Sequence, residues 1–384
     1  MKILHIGTDN QFVGQALTSF ERVYPNQNTL WILERTKKLA IKNKCDKSFT
    51  FLDTLTPSFI KKLSFFDLIV LHNFDLYWVF LTLLAPKKSK IAWLGWGFDY
   101  HCFIYSDLDS LLLDKTLIIK TEIKQGNKVK LSFGTLASKL SRFFLNRFVK
   151  PLALKRVGTF SPVLKEEYDL INTVKLKPFG PTYIPWNYGS LEEDLIKNFI
   201  GHRITGNSIL LGNSSSFTNN HSEAIDLLTG VELPKEVSVI APLSYGDTIY
   251  RNKILDIGHR SLGEVFTPIV NFMPIDEYVE LIKKCGYVIM NHKRQQAVSN
   301  IVIMLYLGAR VFLREENPTY IMMKKEGVTL NTIQQLERQP ALLSTPLKEF
   351  EIKRNINILY KFWSKAAIDT KTKNLVEYHL GVRN

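Results

Sequence analysis

A chain of 384 residues is too long for one comfortable hydrophobic core and suits two domains of ordinary size. A hydrophobic fraction of 45% is that of a folded protein and sets disorder aside. With 50 basic against 36 acidic residues, the formal charge of +14 fits three kinds of partner: nucleic acid, an anionic lipid surface or phosphorylated small molecules. Cys45, Cys102 and Cys285 lie far apart with no CxxC pair, which speaks against a disulfide scaffold or a zinc–thiolate site and for a reduced, intracellular protein. Met1 to Gly7 reads as a strand rather than a signal segment, and no apolar run is long enough to span a bilayer.

In chain order, Lys2 to Ile6 reads as a buried first strand. Gly7-Thr8-Asp9-Asn10 then turns into a helix from Phe12 to Val23. Strands follow at Thr29 to Glu34, within Leu63 to Leu71 (ending at His72-Asn73) and at Ile91 to Leu94, with a buried helix over Leu76 to Ala85. Ser132 and Phe133 open a basic, aromatic helical region. Arg156 to Ser161 is strand-sized and precedes a helix from Pro162 to Leu170. Lys177 to Pro185 carries three prolines and a glycine and reads as a linker or rigid crossover. Beyond it a cleaner alternation appears, with strands at Ser208–Leu211, Val237–Ala241, Val265–Ile269, Tyr287–Met290 and Arg310–Leu313 and helices between them. Leu347 to Lys371 is a helical, basic-aromatic tail. Short apolar runs alternating with helices predict α/β domains with mostly parallel sheets.

Four polar loops follow strands of the second half. Gly212-Asn213-Ser214-Ser215-Ser216 stands between a strand and a helix; its glycine permits close backbone approach, and its hydroxyls with the helix-start amides suit a diphosphate. It is neither a GxGxxG nor a GxxxxGK[ST] loop, and a capped helix start with polar turn residues is the plainer reading. Pro242 to Gly246 contains Tyr245. Asn291 to Gln296 contains Lys293, Arg294, Gln295 and Gln296, followed by Asn300; its cations suit phosphate, although a solvated basic turn has the same composition. Arg314 to Pro318 contains Glu316 and Asn317, with Glu316 suited to accept from sugar or ribose hydroxyls. Loops after parallel strands share one edge of the sheet, where open α/β sheets bind ligands, so their convergence says more than any one of them.

In the first half, His72-Asn73 and the segment Trp93 to Tyr100 follow strands. Trp93, Trp96, Gly97 and Asp99 form a sugar-stacking and general-base candidate, with Asp99 as the acceptor base; a core tryptophan pair with Asp99 as a cap is the alternative. His5 and Gly7 belong to the same edge. Asp107-Leu108-Asp109 is not read as a metal site, no histidine cluster has ligand spacing, and no cofactor or metal is expected. Phe143, Phe144, Arg147 and Phe148 mix aromatic bulk with charge, as in a helix lying in a membrane interface; an ordinary packed helix with solvated cations would read the same.

These residues in this order resemble the TDP-Fuc4NAc:lipid II Fuc4NAc transferase family, glycosyltransferase family 56. The segments that carry the resemblance are Trp93/Trp96/Gly97/Asp99, Gly212-Asn213-Ser214, Asn219-Asn220-His221, Pro242/Tyr245, Arg294-Gln295-Gln296 and Glu316-Asn317-Pro318. It runs from about Trp93 onward and is best in the second half. Gly95, Phe98, Ala297 and Asn300 depart from the family's pattern. The resemblance implies a GT-B fold, with two Rossmann-like domains facing a cleft, and metal-independent transfer. It also implies a dTDP-sugar donor on the second domain and a polyprenyl-diphosphate-linked saccharide acceptor at the cytoplasmic face of the bacterial inner membrane, in common antigen or another surface polysaccharide. The domains are placed at 1–180 and 181–350, with a tail at 351–384 returning to the first. Lys293 or Arg294, with the Gly212 to Ser215 loop, would stabilise the leaving diphosphate. The rivals are another two-domain sugar-nucleotide enzyme, such as an epimerase, and a basic nucleic-acid-binding protein. The absence of a helix-turn-helix or RNA-reading motif weighs against the second, so nucleic acid is not expected as a partner.

Overall fold

The computed structural model describes residues 1–34, 45–105, 107–126, 144–174, 179–233 and 236–381. Its strands form two sheets. The first contains β1 (Ile3–Gly7), β2 (Asn28–Leu33), β3 (Lys47–Phe49), β4 (Leu68–His72), β5 (Ile91–Leu94), β6 (Thr159–Ser161) and β7 (Thr182–Tyr183), in the order β3-β2-β1-β4-β5-β6-β7. The second contains β8 (Ser208–Leu211), β9 (Val239–Pro242), β10 (Phe266–Ile269), β11 (Cys285–Met290), β12 (Arg310–Leu313) and β13 (Asn331–Thr332), in the order β10-β9-β8-β11-β12-β13. The pairings within both sheets are parallel.

Each sheet starts in its middle, winds outward to one side, then returns beside its first strand and winds to the other. The loops after β1 and β4 therefore part at one switch point and those after β8 and β11 at another, the crevices in which such sheets hold ligands.

The strands are near-continuous apolar runs because both faces are covered. The five residues of β1, of β4 and the six of β11 are all buried. On one face of the second sheet, Ile209, Leu211, Val239, Ala241, Tyr287 and Ile289 meet Ala224, Ile225 and Leu228 of helix His221–Thr229 and Tyr250 and Ile254 of helix Thr248–Leu262. On one face of the first sheet, Ile3, Leu68, Val70, Ala92 and Leu94 meet Ala16 and Phe20 of helix Gln11–Val23 and Leu375 and Val376 of helix Lys365–Leu380. Asn10 starts the first of these helices, its side chain accepting from Phe12 N at 2.9 Å and Val13 N at 3.1 Å.

The compact units differ from the sequence boundaries. One comprises Met1–Ile104, Lys130–Asp194 and Phe362–Asn384; the other comprises Tyr105–Val129 and Leu195–Lys361. A break at 180/181 is moved to Asp194 because β7, within the proline-rich segment, pairs with β6 in the first sheet. Tyr105–Val129 leaves the first half because helix Asp114–Gly126 places Ile119 in the second core and Thr116 on Glu223, with Thr116 N 2.8 Å from Glu223 Oε1. The tail divides at Phe362 rather than standing apart from 351. Among the described residues no helix is long and apolar enough to cross a membrane.

Candidate functional site

At the switch point of the second sheet, Gly212 leaves β8 with φ +67° and donates its N–H to Ile289 O at 2.9 Å, tying the two loops together. A Cβ there would lie 2.7 Å from both Asn219 Oδ1 and His221 Nε2, so only glycine lets the backbone pass this close. Asn219 is the hub of the hydrogen bonds around these loops. Its amide nitrogen donates to Ser214 Oγ and Ser216 O at 3.1 Å each. Its oxygen therefore accepts, from Asn213 N at 2.9 Å and from His292 Nε2 at 2.8 Å. That fixes the His292 proton on Nε2 and leaves Nδ1 a buried lone pair with no partner among the described residues.

Gln296 closes the loop from the other side, donating to Asn213 Oδ1 at 2.8 Å and accepting from Thr218 Oγ1 at 2.7 Å. Asn213 donates to the Tyr245 hydroxyl at 2.9 Å, while Ser215 N and Oγ both donate to Tyr245 O. Tyr245 itself is 60% exposed. Arg294 donates to Gln295 O at 2.9 Å and reaches Thr218 Oγ1 at 3.4 Å, placing its guanidinium at the same loops. The fold thus brings Gly212, Asn213, Ser214, Ser215, Tyr245, Arg294, Gln295 and Gln296 together. The helix Val298–Leu307 starts just beyond them, with Ala297 held in the left-handed region at φ +59°, where glycine costs less.

Other candidates are set to different tasks. Asn317 is fully buried; its amide donates to His292 O at 2.8 Å and Arg294 O at 2.7 Å while its oxygen caps helix Pro318–Glu326. It shapes the basic loop and does not reach past it. The Glu316 carboxylate is committed to Arg314 Nε and to Gln334 Nε2 at 3.1 Å; burial raises its pKa, but the arginine outweighs that and holds it below the usual range. Lys293 Nζ donates to Ser110 O at 2.9 Å, and Asn300 Nδ2 to the Tyr278 hydroxyl at 3.2 Å. Burial keeps His221 neutral, its pKa lowered to about 3; burial, then the nearby Arg294, drives His292 well down also. Asn219, His221 and His292 are the residues that a search for charges overlooks. The signal for Asn219 and His221 was the unbroken polar run Thr218 to Glu223 leading into helix His221–Thr229, and that for His292 was the polar loop Asn291 to Gln296.

At the switch point of the first sheet, Gly7 and His72 adjoin: a Cβ on Gly7 would lie 3.2 Å from His72 Cβ and 2.8 Å from Val13 Cγ2. His72 Nε2 meets His5 Nδ1 at 3.1 Å and its Nδ1 meets the Tyr188 hydroxyl at 3.0 Å. Trp93 is fully buried, its ring stacked on Phe160 at 3.9 Å, and so belongs to the core and offers no face to a sugar. Asp99 is buried, with Oδ2 accepting from Phe74 N at 2.9 Å and Trp93 Nε1 at 2.8 Å and Oδ1 from Trp96 N at 2.9 Å. Burial raises its pKa against the pull of those N–H groups and Lys150. Both oxygens are occupied, so Asp99 braces the loop that carries Trp96 and Gly97 (φ +104°) in place of the base role read from sequence. The half-buried Trp96 joins Phe12, Phe98 and Tyr188, two of which the sequence reading did not single out. The aromatic pair Trp186 and Tyr188, directly after Pro185, was the available signal for the second.

Phe144, Phe148 and Leu152 are 56, 53 and 53% exposed on one continuous helical stretch, with the two phenyl rings 5.1 Å apart. Lys150, on the same stretch, is buried and donates to Asp99 O at 2.8 Å. Phe143 and the side chain of Arg147 lie outside the described residues. Asp109 accepts from Lys120 and Lys124, and among the described residues no group of three or more His, Cys, Asp or Glu could hold a metal ion.

Solved structures with the same architecture span essentially the whole chain. HepE from Anabaena in complex with UDP matches at 12% identity and TM-score 0.63, over 98% of this chain and 100% of that one. Sucrose-phosphate synthase from Thermosynechococcus elongatus matches at 8% identity and TM-score 0.62, over 100% of each chain. A glycosyltransferase from Rickettsia africae ESF-5 matches at 10% identity and TM-score 0.60, over 100% of this chain and 99% of that one. Two parallel α/β sheets in this arrangement define the GT-B glycosyltransferase fold. Residues 139–344, more than half of the chain, match the family described as 4-alpha-L-fucosyltransferase glycosyl transferase group 56, and the chain belongs to that family. It is a nucleotide-sugar-dependent glycosyltransferase.

Proposed function

We propose that the protein transfers an acetamido-dideoxyhexose of the Fuc4NAc kind from a dTDP-sugar to a polyprenyl-diphosphate-linked saccharide, in common antigen or another surface polysaccharide. The observation that carries the donor half is the closed network of Asn213, Ser214, Asn219, Tyr245 and Gln296 beside Arg294. Neutral donors and one guanidinium, at a switch point and ahead of the helix Val298–Leu307, suit a leaving diphosphate. The exposed ring of Tyr245 suits a nucleobase face. In the reaction an acceptor hydroxyl attacks the anomeric carbon as the bond to the diphosphate breaks, and the hydroxyl's proton passes to the departing diphosphate or to water. Arg294 neutralises the charge that develops on the departing oxygen. Asn317 sets the geometry of Arg294 by holding its carbonyl.

The acceptor half rests on the first sheet, where Gly7, His72, Trp96 and Gly97 share one edge. The stripe Phe144, Phe148 and Leu152 supports contact with an anionic membrane surface, since the net charge of +14 favours acidic headgroups. A peripheral position at the cytoplasmic face of the bacterial inner membrane accords with that reading.

Thermal unfolding with a panel of nucleoside diphosphates tests the donor. dTDP is expected to raise Tm most, because a ligand that binds only the folded state stabilises it. A panel that leaves Tm unchanged would refute the donor site, and a larger shift with UDP would refute the dTDP assignment alone.

A further inference from the structure

We propose that the carboxyl edge of the first sheet binds a pyranose of the acceptor against Phe12, Trp96 and Phe98, and that Tyr188 is a positioning residue whose hydroxyl oxygen accepts a hydrogen bond from that sugar. The inference rests on the acceptor side of the proposed function and adds to it the sugar subsite and its polarity.

The polarity comes from a chain of hydrogen bonds that admits one direction. Asn28 Nδ2 donates to Glu21 Oε2 at 2.7 Å and to Tyr24 O at 2.8 Å, two groups that only accept. Asn28 Oδ1 is thereby turned to His5 Nε2, 3.3 Å away, so that nitrogen carries the proton. Burial keeps His5 neutral, its pKa lowered to about 4, so Nδ1 is bare and His72 Nε2 at 3.1 Å must donate to it. Burial, with His5 beside it, holds His72 neutral too. His72 Nδ1 is then bare, and its partner at 3.0 Å, the Tyr188 hydroxyl, is the donor. Leu94 O, 3.3 Å from the same hydroxyl, is the longer option. With its one proton directed inward and the Trp96 indole N–H beside its oxygen, Tyr188 has a remaining lone pair, and no proton, to offer a ligand. It therefore favours a sugar hydroxyl over an ether or a deoxy position.

The platform lies around that oxygen. Phe12 sits 5.8 Å from Trp96 and 5.6 Å from Tyr188, and Trp96 sits 6.0 Å from Phe98 and 6.3 Å from Tyr188. Phe98 is 61% exposed, a large apolar surface to leave in water on a loop braced by Asp99. Aromatic faces beside a fixed polar group pair with the two sides of a pyranose, its C–H face and its hydroxyl edge. The rings stand at the ends of β1 and β5 and beyond β7, the edge where a parallel sheet holds its ligand.

The test is ¹⁹F NMR of protein labelled with 5-fluorotryptophan, with the Trp96 signal assigned through Trp96→Phe. The probes are methyl glycosides of glucose, galactose, mannose, N-acetylglucosamine and glucuronic acid. At least one should shift the Trp96 signal saturably. Tyr188→Phe should weaken that binding about 3- to 10-fold, the worth of one neutral hydrogen bond. Phe98→Ala, at an exposed position, should weaken it about 5-fold. The affinity for dTDP should be unchanged in both variants. A silent Trp96 signal across the panel, or equal sugar affinity in the wild type and both variants, would overturn the subsite. Should Tyr188→Phe fail to fold, Phe98→Ala decides alone. Intact dTDP binding with no sugar response separates failure of this inference from failure of the donor reading.

Discussion

The two sheets share one winding order, yet their switch points are built of different matter. The second is closed by neutral amides and hydroxyls arranged around Asn219, with a single guanidinium at the rim. The first is lined by aromatic rings over a buried histidine pair. The winding explains only that each sheet has a crevice at its carboxyl edge. The residues after β8 and β11, against those after β1, β5 and β7, make one crevice a polar network with a guanidinium and the other an aromatic cluster.

Acid should probe both regions most strongly. His5 in the first and His221 in the second are neutral when folded, with pKa values lowered to about 4 and about 3, and would protonate near 6.5 when unfolded. The unfolded chain then binds more protons below pH 6.5, so stability present above that pH is lost as pH falls toward 4. Each residue should remove about 2 kcal/mol between pH 7 and pH 5, read from urea unfolding at the two pH values. A flat stability profile over that range would show that the burial of these rings is relieved.

Asn219→Ala should be next. It strands the N–H of Asn213 and Nε2–H of His292, both buried, and should cost about 3 kcal/mol in chemical denaturation. Mutating Asn28 in the first region, which is half-buried, should cost less, and the gap measures how much tighter the second crevice is. Arg294→Ala should leave Tm nearly unchanged and lower dTDP affinity about 30-fold, the worth of a charge-assisted contact, by titration calorimetry. Equal affinity would remove Arg294 from the donor site. The smallest effect belongs to the helical stripe: Phe148→Ser should reduce partition onto anionic vesicles about 5-fold in a flotation assay, with unfolding unaffected. Unchanged partition would assign the stripe another partner.

Much of the second region was legible because its signals are local. A strand, a polar loop and a helix succeed one another in the sequence, so Gly212, Tyr245 and Arg294 could be picked from their places after strands. The first region was less so. Trp93 and Trp96 stand three residues apart and look alike, but one lies within a strand inside the core and the other comes after it at the edge. Asp99 had the composition of a base and the environment of a brace. Glu316, although exposed, is likewise committed to Arg314, and Asn317 turned inward to the loop carbonyls.

The sequence by itself determined the two α/β halves, the strand-end loops and the resemblance to a glycosyltransferase family, because apolar periodicity and short ordered motifs are properties of neighbours along the chain. Only the tertiary structure decided that Tyr105–Val129 joins the second unit and that the tail, expected to return to the first from 351, divides at Phe362. It alone joined Glu21, Asn28, His5, His72 and Tyr188 into one directed chain. Those partners are separated by up to 116 residues, and the burial that fixes their protons exists only once the sheet has closed over them.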